Sequence, residues 1–255
     1  MTTSRPSLSI FVPAHNEARN LEGAIHDIVA ATQPGLTDYE ILLVDDGSTD
    51  GTAEVAEGLA RDNPRIRVIH NRSKEGIARG YRTALGLATK EYFGFLPGDR
   101  EVHADSIRAI FDAVGSSDLI IPYHANREAR AWHRRVMTWV CTTLLNTLFG
   151  HHLHYYQGPT VYPTQLAMAL PSRSTGFFFL TEMLVHALDG GRSFIEVGLI
   201  HQERAFGKSK AITFRNIRMA LAVILGTWWR LRVGRVWRGR LGSVKTASLK
   251  EKAKP

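Results

Sequence analysis

The stretch Ser7–Glu17, SLSIFVPAHNE, and its sequel Glu40–Thr52, EILLVDDGSTDGT, decide the fold. Each is a short apolar run that ends in a polar, turn-prone cluster and gives way to a helical pattern. That is how a parallel βαβ unit reads, with its ligand crevice at the carboxyl ends of the strands. At those ends stand His15, Asn16 and Glu17, then Asp45 and Asp46. Carboxylates at a crevice mouth suit hydroxyls, amide and amine donors, or a metal ion. They suit a bare phosphate poorly.

Working outward, strands are expected at about Ser7–Val12, Glu40–Val44, Ile66–His70, Tyr92–Leu96 and Asp118–Pro122. Between them, apolar residues recur at the three- and four-residue spacing of a buried helix face. Leu21, Ile25, Ile28 and Val29 form one such set, Val55, Ala56, Leu59 and Ala60 a second, and Ile77, Tyr81, Ala84, Leu85 and Ala88 a third. Pro34–Gly35 and Asn63–Pro64 punctuate the returns from helix to strand. This alternation predicts an α/β, doubly wound sheet, mainly parallel and flanked by helices. After Pro122 the pattern changes. A helix over Arg127–Phe149 starts with Arg127, Arg130, Arg134 and Arg135, and a loop HHLHYYQG follows at residues 151–158. Further helices are expected around Gln165–Leu170 and Phe178–Leu188, then a strand over Phe194–Leu199. There is no internal repeat and no linker that would divide domains. Residues 1–5 and the last fifteen or so are expected to be disordered.

A chain of 255 residues buries a sizeable core. Cys141 is the single cysteine, which excludes an internal disulfide and fits a reducing compartment. It lies in an apolar helical stretch with no supporting motif, so core packing is its expected role. The first apolar run is only a strand, so no signal peptide is read. The longest apolar helical candidate, Met219–Trp229, is bracketed by Arg218 and Arg230 and is too short to span a bilayer. Charge is unevenly distributed. From Arg204 to Pro255 there are fourteen Lys and Arg against one acid, Glu251, a net of +13, while the whole chain carries +8. The rest is therefore −5, and an anionic partner is expected at the C-terminal region alone.

Asp45 and Asp46 begin Asp-Asp-Gly-Ser-Thr-Asp-Gly, which also serves as a turn and helix start. The adjacent Asn16–Glu17 cluster favours a binding crevice. The fourth strand ends in Pro97-Gly98-Asp99-Arg100-Glu101, so Asp99 and Glu101 stand at the same edge, spaced to share one hard cation. Mg²⁺ or Mn²⁺ suits such oxygen ligands and would bridge a substrate diphosphate; the plain alternative is a turn with solvated acids. His151, His152 and His154 have no fourth ligand at a convincing spacing for a transition metal. Gly207-Lys208-Ser209 is not a phosphate loop. No G-x-G-x-x-G follows the first strand, which argues against a dehydrogenase.

VPAHNE, VDDGSTDGT, the GIARGYRTAL segment and the acid after the fourth strand, in that order, resemble family-2 glycosyltransferases of the GT-A fold. Arg127, Arg134–Arg135, the Gly158 turn, Phe179–Glu182 and Arg204-Ala-Phe-Gly-Lys-Ser-Lys210 resemble the polyprenyl-phosphate branch, the dolichol-phosphate mannose synthase-like enzymes. The resemblance covers roughly residues 7 to 215. It implies a GT-A domain over residues 1–211, with a nucleotide-binding half at about 7–122 and an acceptor-binding half at about 123–211. Pro13, His15, Glu17, Asp45, Asp46 and Gly98 would line the nucleotide-sugar site, with Asp46 bonded to the base. Asp99 matches the last acid of the family's D-x-D metal motif, and Glu101 a nearby metal-site Gln. Arg127, Arg134, Arg204, Lys208 and Lys210 would neutralise the donor diphosphate and the acceptor phosphate, with Ser209 adding a hydroxyl. Two departures stand out. Pro97 replaces the first acid of D-x-D. The D-x-x-S-G-F-R turn reads Tyr156-Gln157-Gly158-Pro159-Thr160-Val161-Tyr162 here, leaving Tyr156 and Gln157 as candidate replacements.

The chemistry so implied is inverting transfer of a sugar from a nucleotide-sugar to a polyprenyl phosphate. A lipid phosphate is already anionic and needs no general base. A sugar hydroxyl would need one, and Glu182 is the best candidate. Transfer to a glycan or small-molecule hydroxyl therefore stays open, as does a nucleotide-sugar-binding protein without catalysis. In Ile212–Val233, Phe214, Ile217, Leu221, Ile224, Leu225 and Trp228 follow helical spacing with arginines nearby. Residues 212–240 are expected to form an amphipathic helix in the interface of an anionic bilayer, and 241–255 a disordered basic tail. The enzyme would then be peripheral on the cytoplasmic face of the membrane. Nucleic-acid binding is not expected, since aromatic and basic residues do not alternate over a strand platform.

Overall fold

Leu8, Ile10 and Val12 alternate with Ser9 and Phe11 along the first strand, β1 (Ser7–Ala14), and all five are buried. An apolar strand with both faces covered belongs in the middle of a parallel sheet. The computed structural model describes residues 5–33, 35–126, 128, 131–202 and 220–232. In it β1 pairs in parallel with β2 (Asp38–Asp45) on one side and with β4 (Tyr92–Phe95) on the other. β3 (Ile66–His70) extends the sheet in parallel beyond β2. Helices α1 (Leu21–Ala31), α2 (Thr52–Asp62) and α3 (Ile77–Leu87) make the crossovers.

The remaining strands complete the wall. β6 (Tyr162–Pro163) pairs antiparallel with β4, and Val161 bridges antiparallel to Ile120 of β5 (Leu119–His124). β5 therefore runs parallel to β4, and β7 (Phe194–Leu199) pairs in parallel with β5. Between β4 and β5 lies α4 (Ala104–Ala113), and the second half carries α5 (Trp132–Phe149), α6 (Thr164–Ala169) and α7 (Phe179–Asp189). A last helical segment, α8, covers residues 220–232.

The period-2 alternation of β1 divides two cores. Leu8, Ile10 and Val12 join Leu21, Ile25 and Ile28 of α1 and Ile107, Ile110 and Phe111 of α4. Phe11 faces the other way and packs with Tyr81 of α3, Phe93, and Phe179 and Met183 of α7. At the amino ends of the strands the buried Ser9 hydroxyl donates to Glu40 Oε1 (2.6 Å), and that carboxylate also accepts from the Thr89 amide. The floor of the sheet is thus tied across β2, β1 and the approach to β4.

Five strands, β1 to β5, and β7 lie within two residues of their sequence expectations. Two elements were not foreseen. α4 follows the fourth strand with His103 at its N-cap, accepting from the Asp105 amide, and buries Ile107, Ile110 and Phe111. β6 is two residues long, too short to show alternation. α5 starts at Trp132 rather than Arg127; Arg127 and Arg130 lie outside the described residues. So do residues 203–219 and 233–255, and with them most of the expected interfacial helix and all of the basic tail.

The Gly158 turn is dictated by packing: a Cβ there would lie 2.3 Å from the Pro122 carbonyl oxygen. Gly158→Ala is therefore expected to destabilise the fold by about 2 kcal/mol or more, in the range of overpacked cores, read as a shift of the urea midpoint with unchanged slope.

Candidate active site

Because β1 to β5 and β7 are parallel apart from the short β6, their carboxyl ends share one edge. That edge gathers His15–Glu17, Asp45–Asp46, His70–Asn71, Pro97–Glu101, Tyr123–Asn126 and Ile200–Gln202 into one crevice wall. It is the place where open α/β sheets bind ligands.

The first two loops are zipped together by short polar side chains. Asn16 takes a left-handed backbone (φ 58°), its amide donates to Ser48 Oγ (3.0 Å), and its side-chain oxygen accepts from the Thr49 amide (2.9 Å). The Glu17 amide donates to Thr52 Oγ1 (2.9 Å) and the Ala18 amide to Asp50. His15 Nδ1 lies 2.9 Å from the Asp46 carbonyl oxygen. Much of the Ser48–Thr52 polarity is thus spent on holding the loop after β1 against the loop after β2.

Asp46 closes the next loop. Its carboxylate accepts from Asn71 Nδ2 (2.9 Å) and from the amides of Glu75 (2.8 Å) and Gly76 (2.9 Å). Burial alone would raise its pKa. The Glu75 amide, the Asn71 side chain and the Gly76 amide outweigh that and hold the carboxyl below its usual range. Gly47 permits the approach: it sits at φ 66°, and a Cβ there would meet the Ser73 backbone. Asp45 is equally engaged, accepting from the Ser48 amide (3.1 Å) and from His70 Nδ1 (3.0 Å). His70 Nε2 faces Glu57 Oε1 of α2 at 2.9 Å. A ring between two carboxylates fits imidazolium. The bond to Asp45, then that to Glu57, raise the His70 pKa against a smaller effect of burial.

After β4 the chain turns tightly under β1. The Gly98 amide donates to the Pro13 carbonyl (3.2 Å), and a Cβ on Gly98 would sit 3.0 Å from that oxygen. Gly98 therefore has a packing reason for being glycine. Asp99 is buried and its Oδ1 accepts from the Glu101 amide (3.1 Å). Between them Arg100 takes a left-handed backbone (φ 59°), and its guanidinium pairs with Asp27 of α1 at 2.7 Å. The second half docks on this turn. The Gln202 amide donates to the Glu101 carbonyl (2.9 Å), and the His103 amide to that of Ile200 (3.1 Å). Asn126 and His201 exchange two bonds: the Asn126 amide nitrogen donates to the His201 carbonyl (2.7 Å), and the His201 amide donates to Asn126 Oδ1 (2.8 Å). His201 Nδ1 lies 3.9 Å from Glu101 Oε2. No motif in the sequence marks Asn126 or His201. Only the docking of β7 beside β5 brings them here.

Of the other sequence candidates, Arg134 lies half-buried in the first turn of α5. Arg127, Arg204, Lys208, Ser209 and Lys210 lie outside the described residues. Glu182, in the first turn of α7, has a side chain 1% exposed. Its carboxylate accepts from the amides of Arg173 (3.0 Å) and Ser174 (3.1 Å) and pairs with Arg230 of α8 (3.0 Å). Tyr156 is buried and donates to Asn146 (2.7 Å), while Gln157 donates to Cys141 Sγ. Both act inside the fold. Burial pushes the Cys141 thiol up to about 11, against a smaller opposing effect of Gln157, so it is not a poised nucleophile.

Asp99 and Glu101, both on the turn after β4, carry the hard oxygen ligands that Mg²⁺ or Mn²⁺ takes. Among the described residues no group of three His, Cys, Asp or Glu is already disposed as a metal cage. Nor is any described helix long and apolar enough to cross a membrane.

Comparison with known proteins agrees with this geometry. Residues 9–168 match the family described as Glycosyl transferase family 2. The chain is 29% identical to a polyprenol monophosphomannose synthase of Mycolicibacterium smegmatis, over 91% of this chain and 89% of that protein. It is 23% identical to a dodecaprenyl-phosphate galacturonate synthase of Rhizobium johnstonii, over 92% of this chain and 71% of that protein. Among solved structures it resembles glucosyl-3-phosphoglycerate synthase from Mycobacterium tuberculosis, crystallised with Mn²⁺, UDP and phosphoglyceric acid. The TM-score is 0.66 at 17% identity, covering 88% of this chain and 78% of that one. The same enzyme is also known with Mg²⁺ and UDP. At that identity the likeness establishes the shared GT-A fold.

Two outcomes follow from the polar contacts. A folded pKa of His70 above its unfolded value means stabilisation that is complete below the unfolded pKa and lost as pH rises through the folded one. The gap in melting temperature between the wild type and His70→Ala should therefore be wider at about pH 6 than at about pH 9. Glu182→Ala strips the carboxylate from Arg230 and two amides. It is expected to cost about 3 kcal/mol, the range for breaking a buried pair, read by urea denaturation.

Proposed function

The chain belongs to glycosyl transferase family 2, and we propose that it transfers a sugar, with inversion, from a nucleotide-sugar to a polyprenyl phosphate. That it is a nucleotide-sugar-dependent glycosyltransferase follows from the family and the GT-A fold. The acceptor is the step beyond.

The observation that carries the acceptor is the state of Glu182. Attack by a sugar hydroxyl needs a carboxylate to take its proton. Glu182, the sequence candidate for that task, is spent on Arg230 and two backbone amides with its side chain out of solvent. An acceptor that arrives ionised needs no such base. A phosphate monoester meets that requirement, and the two relatives named for polyprenyl-phosphate products match over more than nine-tenths of this chain.

In this reading the base and ribose lie against Pro13, His15, Glu17 and Asp45. Asp46 acts on the base through the loop 71–76 that its carboxylate closes, and Gly98 keeps the turn after β4 close under β1. Asp99 and Glu101 would hold Mg²⁺ or Mn²⁺, which supplies charge neutralisation at the donor diphosphate. Pro97 offers no ligand, so the ion would rest on that pair and the substrate. Arg134, Arg127, Arg204, Lys208 and Lys210, with Ser209, hold the leaving diphosphate and the acceptor phosphate. An acceptor phosphate oxygen forms a bond to the anomeric carbon. The bond from that carbon to the diphosphate oxygen breaks, and the nucleoside diphosphate leaves with the electron pair. Cations fixed around the leaving group stabilise the charge that grows there in the transition state. The basic residues from Arg204 onward and the apolar spacing within residues 212–240 support seating on the inner face of an anionic membrane.

Purified full-length protein, a panel of radiolabelled nucleotide-sugars, polyprenyl phosphate and Mn²⁺ or Mg²⁺ test this directly. Metal-dependent label in organic-extractable lipid is expected, with Asp99→Ala reducing it about a hundredfold or more. Label that passes only to water or to a hydroxyl acceptor overturns the assignment.

A further inference from the structure

Among the described residues only Asn16 and Arg100 take a left-handed backbone without being glycine. Asparagine tolerates that state; arginine enters it at a cost. The turn after β4 closes around Arg100. Asp99 Oδ1 accepts from the Glu101 amide (3.1 Å), and the Arg100 carbonyl accepts from Gln202 Nε2 (2.8 Å). A glycine would make the same two bonds without strain. What a glycine would forgo is the side chain.

That side chain reaches back to α1. Its Nε donates to Asp27 Oδ2 (2.7 Å) and its Nη2 to Oδ1 (3.3 Å), a two-pronged pair. Gly23, one helical turn earlier, makes room for it: a Cβ there would lie 2.9 Å from Nη1 and 3.0 Å from Cζ. Gly23, Asp27 and Arg100 thus serve a single contact. Overall stability does not account for it. The arginine side chain is 48% exposed, and such a pair returns no more free energy than the left-handed backbone costs.

The contact does fix one loop against another. α1 starts on the loop after β1, where the Asn20 and Leu21 amides both donate to the Glu17 carbonyl (2.9 Å each). Asn20 Nδ2 also donates to Glu17 Oε2 (2.7 Å). Leu21, Ile25 and Ile28 anchor the helix in the core. The end of a rigid rod therefore holds Glu17, and its flank holds the residue between Asp99 and Glu101.

We propose that Arg100 is a positioning residue: latched to Asp27, it sets the turn bearing Asp99 and Glu101 against the loop bearing Glu17, so that cation and nucleotide are held in one register. The latch rests on the reading of Asp99 and Glu101 as ligands of a divalent cation and adds to it what aims them. Both acids sit on one short turn and Pro97 offers no third ligand, so a tilt of that turn displaces them together.

Loss of the free Mn²⁺ electron paramagnetic resonance signal reads the cation without turnover. Full-length protein is titrated with Mn²⁺ in the presence of UDP or GDP, against protein-free blanks. Asp27→Asn keeps the shape and removes the charge, while Arg100→Gly removes the side chain and relieves the backbone. Both should weaken Mn²⁺ binding by roughly tenfold or more, the effect of losing a group that orients metal ligands. Nucleotide affinity in EDTA should keep its wild-type value, and melting temperatures should fall by less than about 4 °C. Arg108→Ala is the control. Arg108 ties α4 to the C-terminal end of α1, donating to the Gln33 (2.7 Å) and Ala30 (3.3 Å) carbonyls, and its loss should leave Mn²⁺ affinity unchanged.

Mn²⁺ binding that Asp99→Ala abolishes, but that either Asp27→Asn or Arg100→Gly leaves at its wild-type value, overturns the latch and leaves the cation pair standing. Equal weakening by Arg108→Ala overturns it in favour of a general loosening of α1. A wild type that takes up no Mn²⁺ sinks the cation pair and the latch together. The expected pattern in a protein that labels no lipid supports the latch and overturns the acceptor assignment alone.

Discussion

Everything in the crevice depends on the parallel pairing of β1 with β2 and β4. Eight consecutive residues of β1 stand in register with β2, Ser7 opposite Asp38 through Ala14 opposite Asp45. A slip of one residue would turn Phe11 into the wrong core and carry Leu8, Ile10 and Val12 with it. The apolar cost of that slip is what fixes the height of the polar loops above. His15 reaches the Asp46 carbonyl and Gly98 reaches Pro13 only because three strands end at matched levels. The chemistry of the edge is positioned by side chains that never touch it.

The loops themselves show how much polarity a crevice spends on its own construction. Asp45, Asp46, Ser48, Thr49, Asp50 and Thr52 all bond to neighbouring loops. An acid at a strand end is available to a ligand only to the extent that it is not already holding the site together. Glu182 is the extreme case. Its carboxylate joins α7, the loop before it and α8, and that engagement favours an acceptor with its own charge.

The architecture was legible in the sequence because a parallel sheet with both faces buried writes itself as apolar runs separated by helical spacing. Six strands and the crevice edge followed from that pattern. What escaped had local reasons. β6 has two residues and leaves no period to read, and α4 follows directly on a turn whose acids mask the spacing of Ile107, Ile110 and Phe111. Asp99 and Glu101 could be placed at the edge from their strand. The Asn126–His201 exchange could not, since it joins residues 75 apart through a sheet contact that no spacing announces. Nor does a run such as Trp132–Val140 say on its own whether its apolar face turns inward or outward. The exposure of Trp132, Val136, Trp139 and Val140, with Leu145 and Phe149 buried at the other end of the helix, answers that.

β7 has a neighbour on one side only among the described residues, as β3 does at the opposite margin. An open strand margin invites pairing with another chain, the first step toward insoluble aggregates. Each margin carries its own deterrent. β3 presents Arg67 and a His70 held between two carboxylates over only five residues. On β7, Glu196 sits mid-strand with its carboxylate clamped by the amide and ring of His154. The histidine-rich loop thereby fixes an acid on the strand where a stray strand would dock. The sheet can be this apolar through its centre because its borders are unwelcoming to more of the same.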